Sequence, residues 1–153
     1  MKVSVWLMTP ITSRDLNRFL VFLNRKRSQF MSARLAGSGL TGPMYSFLLC
    51  LEKNPGIRQD FLCTHFSIDK GTVARLCKRM EHLALIHRSV CSDDRRAYQL
   101  SLTETGRAML KVIHDHLNDW SDRLFVGFSE QDRRTVFEML SHMAENVKDD
   151  KTS

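Results

Sequence analysis

No stretch of the 153-residue chain approaches the roughly 20 apolar residues that a membrane-spanning helix needs, so no membrane partner is expected. The N-terminal run Val3, Val5, Trp6, Leu7, Met8 is too short for a signal-peptide core and lacks a convincing cleavage site, which points to a cytoplasmic protein. Cysteine is scarce. Cys50, Cys63, Cys77 and Cys91 do not make a disulfide scaffold in a chain of this length, and reduced thiols are the expectation. Catalytic signatures are missing too: there is no nucleophile elbow, no phosphate loop and no pair of acids placed for a cleft, so neither an enzyme nor a cofactor is expected. Cys63-x-His65, His82, His87, Cys91, His114 and His116 lack the tight spacing of a zinc knuckle, and His114 and His116, two apart on a helix, point to different faces. No metal site is expected. Repeats and low-complexity tracts are absent as well.

What is present is ordinary globular composition with an uneven charge distribution. Hydrophobic residues make up 42% and charged residues 26%, enough for one domain with a proper core and too apolar for a disordered chain. The net charge of +6 invites a polyanionic partner. Between Asp69 and Arg96 the cations Lys70, Arg75, Lys78, Arg79, Arg88, Arg95 and Arg96 outnumber Asp69, Glu81, Asp93 and Asp94, whereas acids prevail after Thr103. A basic middle followed by an acidic end suits one DNA-facing surface.

Periodicity orders the elements. Leu16, Phe19, Leu20, Leu23, Phe30 and Met31 recur at helical spacing over 12–34, with Thr12 or Ser13 as the cap, and the Gly37-Ser38-Gly39 region breaks the pattern. A second helix runs over about 41–53, with Pro43 in its first turn and Asn54-Pro55-Gly56 ending it. A short helix over about 57–65, a turn at Phe66, Ser67 and Ile68, and a helix capped by Asp69 form a helix-turn-helix outline. The last of these carries Val73, Leu76, Met80 and Leu83 on one stripe, with Cys77 beside them as a small core residue rather than a sensor. The period then drops to two. Ile86, Arg88 and Val90, then Tyr98, Leu100 and Leu102, flank the polar Ser92-Asp93-Asp94-Arg95-Arg96, which reads as a β-hairpin, a basic wing. Thr103 opens a helix reaching about Phe128, with Leu110, Ile113, Leu117, Trp120 and Leu124 as a packing seam. Ser129-x-x-Asp132 opens the last helix, seamed by Val136, Leu140, Met143 and Val147, and the tail from about Asp149 reads as frayed.

The fold class is therefore mainly α with a small β-hairpin: a winged helix-turn-helix over 40–103, flanked by N- and C-terminal helices (12–36 and 104–148) whose apolar surface exceeds what so small a core requires, all within one domain over 1–153. Asp69-Lys70-Gly71-Thr72-Val73-Ala74-Arg75-Leu76 followed by Met80-Glu81 and Leu85-Ile86 resembles the recognition helix of MarR-family regulators. Asp93-Asp94-Arg95-Arg96-Ala97 with Leu102-Thr103-x-x-Gly106 resembles that family's wing signature, and the helix order extends the likeness over nearly the whole chain. One position departs: the family usually has glycine at the end of the recognition helix, where a left-handed cap is eased, and this chain has Ala84. The resemblance implies a bacterial homodimer built from the outer helices, two winged lobes on a pseudo-palindromic operator of double-stranded DNA, and a repressor or activator often relieved by a small-molecule effector or thiol oxidation. The first helix has no cysteine for the latter.

On this reading Arg75, outward near the middle of the recognition helix, is the first candidate for a guanine contact, since its fork matches O6 and N7. Lys70, Gly71 and Thr72 lie at the helix N-terminus, where free N–H groups favour phosphate, and Gly71 lets backbone approach closely. Arg95 and Arg96 would reach the minor groove or its phosphates. Arg79 and Arg88 are further phosphate candidates. Asp94 is expected to structure the wing, by orienting Arg96 or capping the turn. Arg25, Lys26 and Arg27 read as a solvated or dimer-edge face. The alternative from another class is a winged-helix protein-interaction module that binds DNA without sequence preference, losing it at moderate salt.

Overall fold

In the computed structural model, which describes residues 12–147, the elements follow one another as α1 (Ser13–Arg34), α2 (Gly42–Lys53), α3 (Gln59–Phe66), α4 (Lys70–His82), β1 (Ile86–Val90), β2 (Tyr98–Leu102), α5 (Glu104–Leu124) and α6 (Glu130–Asn146). The apolar 3–8 run and the tail from Asp149 lie outside the described residues. The order is that of a mainly helical winged helix-turn-helix. Two compact units divide the chain, their boundary falling inside α5 between Leu117 and Asn118.

The core of the first unit draws on every element up to α5. Met31 and Leu35 at the end of α1, Met44, Phe47, Leu48 and Leu51 of α2, Leu62 of α3 and Val73, Cys77 and Met80 of α4 are all buried. Ile86 and Leu100 close it from the hairpin, and Leu110 and Ile113 from α5. Burial of these side chains, worth about 1.5–3 kcal/mol each, is what holds short helices that would be marginal alone. The start of α1 behaves differently. Leu16, Phe19, Leu20, Val21, Phe22 and Leu23 are 39–69% exposed, so the first half of α1 presents apolar side chains to solvent. Thr12 caps α1, its amide and hydroxyl both donating to the Asp15 carboxylate at 3.1 and 2.7 Å. Those bonds hold the Asp15 carboxyl below the usual range.

β1 and β2 pair antiparallel in the register Ile86↔Leu102, Arg88↔Leu100, Val90↔Tyr98. A further segment joins their edge. The Gly56 amide donates to the Leu100 carbonyl at 3.1 Å, the Leu100 amide to the Ile57 carbonyl at 2.9 Å, and Arg58 bridges Gln99. This corrects the helix expected from Ile57: Gly56 turns left-handed (φ 76°), Ile57 and Arg58 are hydrogen-bonded or bridged to β2, and α3 begins at Gln59.

The second unit contains the end of α5, a turn and α6. The helix expected to reach Phe128 stops at Leu124, because Gly127 turns left-handed (φ 84°) and Phe125 folds back edge-on to Phe128, centroids 5.7 Å apart. Ser129 then caps α6: its hydroxyl accepts the Asp132 amide at 3.2 Å while the Ser129 amide donates to the Asp132 carboxylate at 2.9 Å. Arg133 lies over the Phe125 ring and reaches Asp122 and Glu130, both at 3.7 Å. Phe137, Met139, Leu140, Met143 and Val147 are 44–66% exposed, and among the described residues none of α6 is buried.

Candidate nucleic-acid interface

α4 presents the expected helix. Asp69 caps it, Oδ1 accepting the Thr72 amide at 2.9 Å. That bond, with the Thr72 hydroxyl, lowers the Asp69 pKa, so the cap stays ionised. Val73, Cys77 and Met80 face the core, with Leu76 and Leu83 half-buried beside them. This rotation turns Arg75, Lys78 and Arg79 to solvent. Arg75 is steadied at the helix surface by donating to Thr72 Oγ1 at 3.4 Å. Arg79 makes no ion pair among the described residues. Lys70 is 81% exposed and only loosely paired with Asp60, at 3.9 Å. Gly71 is exposed; a Cβ there would come 3.3 Å from Asp69 Oδ1, so its openness serves the cap as well as any approaching backbone. Gly71, Thr72, Arg75 and Arg79 therefore fall on one side of α4, with Lys70 at its N-terminal end beside Asp60, where N–H groups and guanidinium forks suit phosphate and base edges.

The wing is built around its acids. Asp94 Oδ1 accepts the Arg96 amide at 2.9 Å, and the Ala97 amide donates to the Asp94 carbonyl at 3.0 Å, so Asp94 closes the turn. Its other oxygen takes Arg58 Nη2 at 3.0 Å, while Arg58 Nη1 takes Asp93 Oδ2 at 3.3 Å. Arg95 and Arg96 remain exposed, with no ion pair among the described residues. Sequence reasoning missed Arg58, whose partners lie 35 and 36 residues downstream.

Arg88 is placed otherwise than expected. Alternation puts it on the same face as Ile86, and its side chain is only 13% exposed, paired with Glu81 at 3.3 Å and lying 4.2 Å over the Tyr98 ring. It ties the end of α4 to both wing strands rather than reaching toward phosphate. Tyr98 is the second residue the sequence reading passed over.

A joint behind the wing explains the Leu102-Thr103-x-x-Gly106 pattern. Thr103 Oγ1 accepts the Gly106 amide at 2.9 Å, capping α5, and donates to the Ala84 carbonyl. Ala84 itself sits left-handed at φ 54°, the conformation that glycine would adopt more easily.

The remaining candidates fall outside this surface. Cys77 is buried, and desolvation pushes its thiol up to about 11, against a thiolate sensor. His114 pairs with Glu52 at 2.8 Å, at a cleft of about 560 Å³ floored by Leu51, Leu102 and Leu110. Among the described residues no three His, Cys, Asp or Glu side chains are grouped to hold a metal, and no helix is long and apolar enough to cross a membrane.

The family model described as "MarR family" matches residues 40–98, which is the helix-turn-helix and the wing up to Tyr98. A crystal structure of MarR is 33% identical, superposes with a TM-score of 0.83, and the match covers 90% of this chain and 95% of that one. A MarR transcriptional regulator from Methanosarcina mazei Go1 is 27% identical with a TM-score of 0.82, covering 88% and 96%. The HTH-type transcriptional regulator BilQ of Clostridioides difficile (strain CD3) is 27% identical over 109 residues, 71% of this chain and 73% of the relative.

Proposed function

The chain belongs to the MarR family of DNA-binding transcriptional regulators, a family of regulators and not of catalysts, and from that premise we propose that it is a homodimeric repressor reading a pseudo-palindromic operator. One observation carries the proposal: the helix-turn-helix and wing pair their acids internally and leave Arg75, Arg79, Arg95 and Arg96 exposed without ion pairs among the described residues. On this reading the lobe over 40–103 docks with α4 in a major groove, Arg75 reading a base edge while Lys70, Gly71, Thr72 and Arg79 hold phosphate. Arg95 and Arg96 enter the neighbouring minor groove, and Arg88 braces the wing from behind.

Dimerisation through the helices over 12–36 and 104–148 is supported by the apolar residues that α1 and α6 each leave exposed, more than a solvated helix needs. Two lobes related by a two-fold axis would meet half-sites about one helical turn apart. The protein would act in the cytoplasm, with a small organic ligand as the signal that releases DNA, as the family resemblance implies.

The test is selection of sites from a random duplex library by the purified protein at physiological salt. A recovered pseudo-palindrome supports the reading. Recovery of no motif from folded, dimeric protein would replace it with a docking module that holds DNA by charge alone.

A further inference from the structure

We propose that Arg58 is the positioning residue of the wing: by holding Asp93 and Asp94 it turns a hairpin tip of zero net charge into a cationic probe aimed at DNA. The inference rests on the DNA-reading function proposed above and extends it to a residue outside both the recognition helix and the hairpin.

The tip is Asp93-Asp94-Arg95-Arg96, two acids beside two arginines, whose charges cancel. Carboxylates beside a phosphate backbone repel it, and at 3–5 Å that repulsion is not screened by physiological salt, whose Debye length is about 8 Å. Left alone, such a tip has no reason to present arginines in preference to aspartates. Arg58 supplies the reason. Its guanidinium takes one oxygen of each carboxylate, at 3.3 and 3.0 Å, so both acids are drawn to one side of the hairpin. The second Asp94 oxygen is used at 2.9 Å by the Arg96 amide, which fixes the backbone from which the Arg96 side chain departs. Arg95 and Arg96 are left exposed, without ion pairs among the described residues.

The place from which Arg58 reaches is what makes it a positioner. It is the cap residue of α3, the first helix of the helix-turn-helix, and its backbone bridges Gln99 of β2. Gly56 and Ile57 are hydrogen-bonded to Leu100 beside it. The backbone bonds and the Arg88–Glu81 pair fix the strands to the body that carries α4, and the Arg58 side chain extends that reference to the tip. Lysine could not substitute, since a point charge cannot span two carboxylates as a planar fork does. The Arg58 side chain is 43% exposed, and exposed ion pairs add little to stability. Its contribution should therefore show in DNA binding and not in folding.

The experiment is a cycle measured on the wild-type operator: Arg58→Ala, the pair Asp93→Asn with Asp94→Asn, and all three together, each by titration and by hydroxyl-radical footprinting. The asparagine at 94 still offers an acceptor to the Arg96 amide. Arg58→Ala is expected to weaken binding about tenfold, with the melting temperature essentially unchanged, and to erase the minor-groove protection while that under α4 persists. In the Asn/Asn background the same substitution should cost less than about twofold, because the carboxylates through which it acts are gone. Equal losses in both backgrounds would make Arg58 a direct phosphate contact and overturn the proposal, as would no loss in either. A wild-type protein that selects no operator would remove the reading beneath it, an outcome distinct from both.

Discussion

Gly106 lies so close to Leu85 that a Cβ built at 106 would stand 2.0 Å from the Leu85 carbonyl oxygen. The contact joins the first turn of α5 to the backbone that enters the wing, and the oxygen concerned is engaged: it accepts the Thr103 amide at 3.1 Å. Backbone on backbone leaves no flexible side chain to yield. Gly106→Ala is therefore expected to lower stability by about 3 kcal/mol or more, the upper range for overpacking, and to shift the urea midpoint downward accordingly. An unchanged midpoint would mean that α5 can slide away from the wing without cost.

The neighbouring joint predicts the opposite sign. Ala84 holds φ 54°, a left-handed conformation that costs a Cβ-bearing residue about 1–2 kcal/mol. Glycine removes that strain but adds unfolded-state freedom worth about 0.4–1 kcal/mol. Ala84→Gly should therefore stabilise the protein by about 1 kcal/mol, seen as a rise in melting temperature at unchanged unfolding cooperativity. A fall would show that the joint is strained elsewhere.

Cys77 sets a limit on alkaline stability. Burial raises its pKa from 9.0 to about 11, so the folded state holds the proton more firmly than the unfolded state does. Stability from this site is complete below pH 9 and is lost as pH rises towards 11. The expected result is that the stability difference between wild type and Cys77→Ala narrows between pH 8 and pH 11. At pH 8 only about one thiol in a thousand is ionised, so a thiol reagent should modify the half-buried Cys63 before Cys77. Prompt labelling of Cys77 would contradict its packing.

How much of this was legible in the chain depends on the range of the cause. Local causes were readable: the 3.6 period over Val73, Met80 and Leu83, the Asp69 cap, the Ser129–Asp132 capping box and the turn-closing role of Asp94 all lie within a few residues of their effects. The end of α5 misled because apolar residues continue at helical spacing to Phe128, whereas the break comes from Gly127 and an aromatic contact across the turn. The Arg58 pairs span 35 and 36 residues, and no spacing rule connects a residue after Pro55-Gly56 with a hairpin tip. Arg88 was readable in part. The alternation that marks the strand also puts Arg88 inward beside Ile86, but its partners Glu81 and Tyr98 lie seven and ten residues away, beyond what the alternation itself shows.

The exposed stripe on α1 bears on oligomeric state. Leu20 is 46% exposed and Leu140 of α6 is 47% exposed, each amid other apolar side chains. A charge at either position would have to be buried if that stripe pairs with a second subunit, at a cost no dimer interface readily absorbs. Leu20→Glu and Leu140→Glu are expected to convert the protein to a species of 17.7 kDa by light scattering, and to weaken operator binding by losing the second half-site. A dimer that persists in both variants would place the interface elsewhere.

Arg75 and Arg96 should fail in different ways, and the difference tests which groove each enters. Arg75 is exposed on α4, donating to Thr72 Oγ1 at 3.4 Å, and in the proposed docking its fork reads a base edge. Arg75→Ala is expected to cost about 1–3 kcal/mol on the selected operator and to relax preference at one position in each half-site. Arg96 stands on the wing with no ion pair among the described residues, so its partner is charge and groove width. Arg96→Ala should weaken binding to all sequences more evenly and reduce the slope of log K against log salt by about one for each lobe. Circular dichroism and light scattering should be unchanged for both variants, since neither side chain packs into the core. If the two variants showed the same loss, the same base preferences and the same salt slope, α4 and the wing would not be reading separate grooves, and the docking geometry proposed here would be wrong.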